Sequence, residues 1–136
     1  MRKLNIKQIS AITAIFILFA VASGFVYLKQ LRIEMTVEAG LVSGTIIDRQ
    51  QQYFNLYGEF TALEERSNSE VLKIDLKENK YFTSMRIEVM GNTLMLYAKC
   101  PKGFFKGTQL YVKYNNLKGV TYYEIQEKTK IPLARL

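Results

Sequence analysis

The chain has no histidine and a single cysteine, Cys100, and these two shortages remove whole classes of chemistry. Without imidazole there is no histidine general base, and one thiol cannot assemble the common zinc ligand sets. One cysteine also cannot close an intrachain disulfide, so the fold must be held by core packing even in an oxidising compartment. Cys100 is expected to be a small buried hydrophobe at a strand end. Close carboxylates are limited to Glu59, Glu64 and Glu65, which have no nucleophile or base beside them. No catalytic residue, cofactor or metal ligand is therefore assigned, and no enzyme is expected. Proline is nearly as scarce: none falls between Leu31 and Tyr57, so nothing there forbids a long helix, whereas Pro132 argues against a strand near the end of the chain.

Charge is missing from one long stretch. Ile9 to Leu28 is a twenty-residue apolar run interrupted only by Ser10, Thr13, Ser23 and Gly24, about the length an α-helix needs to cross a hydrocarbon core. Arg2, Lys3 and Lys7 precede it, and the positive-inside tendency places them in the cytoplasm. The expected layout is a basic cytoplasmic tip (1–8), a single transmembrane anchor in the cytoplasmic membrane (9–28) and an extracytoplasmic head (29–136). A second reading exists, because Ala20-Val21-Ala22 follows an apolar core as the cleavage site of a signal peptide would. Cleavage there would release a secreted soluble domain. The apolar character of Phe25, Val26, Tyr27 and Leu28 beyond the triplet favours retention as an anchor.

About 108 residues follow the run, enough for one compact domain. Their charge is uneven. Residues 29–98 hold eight basic and ten acidic side chains, whereas 99–136 hold eight basic ones against only Glu124 and Glu127. Such a surface can attract nucleic acid, anionic lipid or an acidic partner, or can simply be solvated, and its sign alone does not choose.

Met35, Ala39, Val42, Ile46, Tyr53 and Tyr57 recur near helical spacing, which predicts an amphipathic helix over 29–58 continuous with the anchor. Its polar side would carry Glu34, Glu38, Ser43, Asp48, Arg49 and Gln52, and Gly58 would end it. A connecting loop is expected over 59–80, with Thr61 to Arg66 as a short helical turn capped by Thr61 and Glu64. From 81 to 126 the period changes to two. Met85, Ile87 and Val89 alternate with polar residues, Gly91-Asn92 makes a tight turn, and Leu94, Leu96 and Ala98 continue the pattern. Gln109–Tyr114 and Val120–Ile125 complete a four-stranded antiparallel meander covered on one face by the helix, an α+β head. A basic, frayed tail is expected over 127–136.

This order resembles the type IV pilins and the pseudopilins of type II secretion systems. The local match lies at the helix end, in Val37-Glu38-Ala39, Gln51-Gln52-Tyr53-Phe54 and Tyr57-Gly58-Glu59-Phe60-Thr61-Ala62-Leu63-Glu64, with Lys80-Tyr81-Phe82 opening the first strand. The resemblance implies a structural or accessory subunit of a pilus or secretion machine, with other pilin-like subunits or machine components as partners of its N-terminal helix. The chain departs from the family where precursors carry a glycine before the processing site and a glutamate five residues on. In the register set by Glu38, Lys3 stands at the glycine and Gln8 at the glutamate, while Gly24-Phe25 lies after the apolar run with Lys29 at the fifth position. A permanently anchored accessory is thereby favoured over a polymerising subunit. The calcium loop of major pseudopilins has no counterpart, since the C-terminal region lacks aspartate.

Two candidate contact regions remain. Lys99, Lys102, Phe104, Phe105 and Lys106 interleave cations and rings as a DNA-contacting loop would, the alternative being phenylalanines tucked under the sheet edge with wet lysines. Gly40 and Gly44 have the Gly-x-x-x-Gly spacing that permits close helix packing, or else only soften the helix. The aromatic group Tyr53, Phe54, Tyr57, Phe60, Tyr81 and Phe82 is expected to be packing at the junction of helix, loop and sheet rather than a binding cleft.

Overall fold

A computed structural model describes residues 5–128. Residues 1–4 of the expected tip and 129–136 of the expected tail lie outside the described residues. One helix, α1 (Ile6–Tyr57), is followed by seven strands: β1 (Leu63–Arg66), β2 (Asn68–Ser69), β3 (Ile74–Asp75), β4 (Ser84–Met90), β5 (Thr93–Lys99), β6 (Gln109–Asn115) and β7 (Gly119–Gln126). The chain divides after Glu34 into two compact units, described separately below.

The first unit is the start of α1. Asn5 caps it: the Asn5 carbonyl accepts from the Gln8 and Ile9 amides, and the Gln8 side chain reaches back to accept from the Asn5 N–H at 3.1 Å, a capping-box arrangement. Beyond the cap, Ile9, Phe16, Leu18, Phe19 and Val26 are all exposed. This part of the helix is long and apolar enough to span a membrane. An α-helix satisfies its own backbone hydrogen bonds, as a lipid-facing segment must.

In the second unit α1 buries one stripe, Met35, Ala39, Val42, Ile46 and Gln50, at spacings of three and four residues. It ends where Gly58 adopts φ +76° and donates its N–H to the Phe54 carbonyl at 2.7 Å. The stripe differs from the expected one at its far end. Tyr57 is exposed and Tyr53 half-buried, because the buried register runs through Gln50 instead. Ser43, expected on the polar side, is buried beside Val42.

The sheet has five strands in the order β1-β4-β5-β6-β7, every pair antiparallel. The expected meander is present as β4–β7, but its number is corrected from four to five. Residues 63–66, expected to be part of a helical turn, instead pair with β4, Leu63 opposite Ile87 and Arg66 opposite Met85. Ladder hydrogen bonds along an otherwise open β4 edge outweigh a four-residue capping signal. Asn68–Ser69 and Ile74–Asp75 add a small separate hairpin inside the segment expected as loop. Lys80-Tyr81-Phe82 precedes β4 rather than opening it.

Alternation dictates the faces of the sheet. Met85 and Ile87, Leu94, Leu96 and Ala98, and Leu110 and Val112 are buried on the inner face, while Arg86, Tyr97, Tyr111 and Lys113 stand on the outer one. The β4–β5 turn is tight, with Gly91 at φ +58°, the positive value that a primed hairpin turn needs at its first central residue.

Candidate functional site

Of the five expected loop residues, the structure presents all but Phe105 to solvent, Lys99 among them. Lys102, Phe104 and Lys106 are exposed, whereas Phe105 is buried and meets Tyr81 edge-on with ring centroids 5.8 Å apart. Phe104 in turn stands against Phe105 at 5.1 Å. Lys99 forms an ion pair with Glu65 of β1 at 3.1 Å. The loop is drawn closed by Cys100, whose N–H donates to the Thr108 carbonyl and whose own carbonyl accepts from Gly107. Cys100 is buried immediately after β5, and burial pushes its thiol pKa up. Thr108 Oγ1 is buried with no hydrogen-bond partner among the described residues.

The two helix glycines lie on the side of α1 away from its buried stripe. A Cβ at either Gly40 or Gly44 would meet nothing within 4 Å. Beside them Val37 and Leu41 are exposed at 56% and 66%.

The expected aromatic junction splits into three groups. Phe54 packs on Phe60 (4.9 Å) and Phe60 on Tyr114 (6.0 Å), while Tyr81 belongs with Phe105. These are packing contacts of mostly buried rings, as expected, but Tyr57, expected among them, is 66% exposed and among the described residues its ring meets only Tyr53, at 4.5 Å.

Two polar contacts that hold this arrangement were not found by the sequence reading. Glu38, expected to be a solvated helix residue, gathers three consecutive backbone amides with its carboxylate: Lys80 N–H at 3.0 Å, Tyr81 at 2.8 Å and Phe82 at 2.7 Å. Gln50 is fully buried and clamps Thr61 from both sides, its Nε2 donating to the Thr61 carbonyl at 2.7 Å and its Oε1 accepting from the Thr61 N–H at 3.0 Å. A signal for Gln50 was present, since it lies four residues beyond Ile46 on the buried stripe, where a polar side chain must be hydrogen-bonded. Glu38 borders that stripe beside Ala39, but its partners lie more than forty residues away and no local pattern points to them.

The outer face of the sheet is a third feature, absent from the sequence reading. Arg86, Tyr97, Tyr111 and Glu124 lie opposite one another across β4–β7. The Arg86 guanidinium sits 4.3 Å from the Tyr97 ring centroid, Tyr97 and Tyr111 are 5.0 Å apart, and Tyr111 and Tyr122 5.3 Å apart. Glu124 Oε2 accepts from the Tyr122 hydroxyl at 2.6 Å and from Gln126 Nε2 at 3.1 Å. The hydrogen bond from Tyr122 lowers the Glu124 pKa and raises that of Tyr122, the Gln126 amide adding to the first effect. These rings border an open groove of about 750 Å³. Among the described residues there is no group of three metal-ligating side chains.

Comparisons with protein-family models, with curated proteins and with solved structures gave no match.

Proposed function

We propose that this is a non-enzymatic, membrane-anchored pilin-like subunit or accessory that acts by lateral packing of its N-terminal helix against like subunits of a type IV pilus or type II secretion-type machine. The observation that carries the reading is the two-sidedness of α1 in the second unit. One side is buried on the sheet, and the other bears Val37 and Leu41 exposed around two glycines with open space above them. An apolar stripe flanked by small residues is the surface on which a second helix can approach closely. The same helix begins as a segment able to span a membrane, so neighbours anchored in one bilayer would meet side by side.

The test is site-directed cross-linking in native membranes. Leu41→Cys in a Cys100→Ser background should yield cross-linked species above the monomer mass. Adding Gly44→Leu should abolish them without changing membrane retention. A chain that stays monomeric with Leu41→Cys, or whose cross-links are indifferent to Gly44→Leu, would overturn the proposal.

DNA contact through the loop is the second reading, favoured by the exposure of Lys102, Phe104 and Lys106 on a loop anchored by buried Phe105. With Lys99 engaged by Glu65, two cations remain for phosphates, so binding to single strands would weaken with salt at a log–log slope of about −1.4. Absence of salt-sensitive binding that Lys102→Glu removes would exclude it.

A further inference from the structure

The tyrosine row on the outer face is unlike a face that only solubilises a sheet. Tyr122 is 46% exposed, and Tyr97 and Tyr111 are half-buried, with successive rings inclined to one another by 53° and 63°. Hydrogen-bonding capacity is left over beside them. The Tyr122 and Gln126 bonds to Glu124 both fall on Oε2, and neither the Gln109 amide nor the Lys113 ammonium has a partner among the described residues. A groove of about 750 Å³ bordered by rings, an amide, a carboxylate and an ammonium is suited to a ligand with both apolar faces and many hydroxyls.

Charge and topology narrow the ligand. Arg86 is paired with Glu88 at 2.9 Å and Lys99 with Glu65 at 3.1 Å, and Lys113 and Glu124 both border the groove. The face is therefore balanced in charge, and a polyanion would gain little from counterion release there. A peptide strand would add to the open outer edge of β7, in the plane of the sheet, whereas the groove lies on the face formed by side chains of β5, β6 and β7. A neutral pyranose chain meets both conditions. Its C–H faces can lie on tyrosine rings while its equatorial hydroxyls reach amide and carboxylate groups. The ring spacings of 5.0 and 5.3 Å are comparable to the length of one pyranose unit.

We propose that the outer face of the sheet binds a neutral linear oligosaccharide, stacked across Tyr97, Tyr111 and Tyr122 and hydrogen-bonded by Gln109, Lys113 and Glu124. The site does not depend on the helix-packing role, since it uses the opposite side of the second unit's sheet. Cellohexaose and chitohexaose, titrated calorimetrically into the full-length protein in a detergent without a sugar headgroup, test it. Saturable binding of at least one is expected, with little change between low and high salt. Tyr122→Ala should weaken it about tenfold, as expected for the loss of one stacked ring. Lys113→Ala, at an exposed position that leaves the core intact, should weaken it measurably, and Phe104→Ala on the loop should leave it unchanged. Each variant is checked for an unaltered thermal midpoint. No saturable binding of either saccharide, or equal binding by wild type, Tyr122→Ala and Lys113→Ala, overturns the proposal. So does salt-sensitive binding of oligothymidylate in place of the saccharides.

Discussion

Glu38 is the most demanding test of how this fold is held, because one side chain on α1 takes the amides of three successive residues ahead of β4. Removing it as Glu38→Ala leaves Lys80, Tyr81 and Phe82 N–H without their acceptor. A hydrogen bond to a charged group contributes roughly 1.5–3 kcal/mol, but these three share one carboxylate and Lys80 is exposed, so they do not add. A total of about 3 kcal/mol is expected, which for a domain of this size lowers the melting temperature by roughly 15 °C. Glu38→Gln separates geometry from charge. Its single carbonyl oxygen can occupy the Oε1 position and keep the Tyr81 and Phe82 bonds, losing the one to Lys80, whose amide water can reach. The expected loss is about 1 kcal/mol. Thermal unfolding followed by near-UV circular dichroism measures both values, and hydrogen exchange in a peptide covering residues 80–82 shows whether protection is lost at these amides. If Glu38→Ala melts within about 3 °C of wild type, or exchange there is unchanged, the carboxylate is not what fixes this segment to the helix.

Other perturbations address other parts of the chain. Thr108→Val removes a buried hydroxyl that has no partner among the described residues and should raise stability by about 1 kcal/mol, visible as a higher urea midpoint at unchanged slope; a lower midpoint would mean that the hydroxyl is satisfied. Cys100, buried and with its thiol pKa pushed up, should react with a thiol reagent far more slowly in the native protein than in denaturant, and equal rates would contradict its place after β5. Glu124 has a lowered folded-state pKa, so its stabilising bonds are present above the ordinary glutamate range and are lost as pH falls through its own value. Tyr122→Phe deletes the largest cause and should move the Glu124 carbon-13 titration upward; an unmoved titration would refute the Tyr122–Glu124 bond.

What could be read in the sequence was whatever repeats with a short period. The stripe Met35, Ala39, Val42, Ile46 and the alternations over β4–β7 were legible because burial on one face leaves a mark every three to four residues, or every second one. Gly58 and Gly91 were legible because a positive φ is cheap only for glycine. β1 was not, since Leu63-Glu64-Glu65-Arg66 has only one apolar residue and owes its strand conformation to the β4 edge and to Gln50 holding Thr61. Of the candidate loop, composition gave the cations and rings but could not say which phenylalanine turns inward. Register decides the outer-face row as well. Tyr97, Tyr111, Tyr122 and Glu124 look unrelated until the pairing of β5, β6 and β7 sets them side by side.

The order of elements along the chain has a consequence for synthesis. The buried side of α1 is complete once residue 50 has been made, yet its sheet is not complete until Gln126. At ordinary translation speeds the gap is on the order of ten seconds. Throughout that interval Met35, Val42 and Ile46 have no strands to cover them, and Glu38 waits for amides not yet polymerised. A newborn chain in this state is an aggregation hazard and a protease substrate.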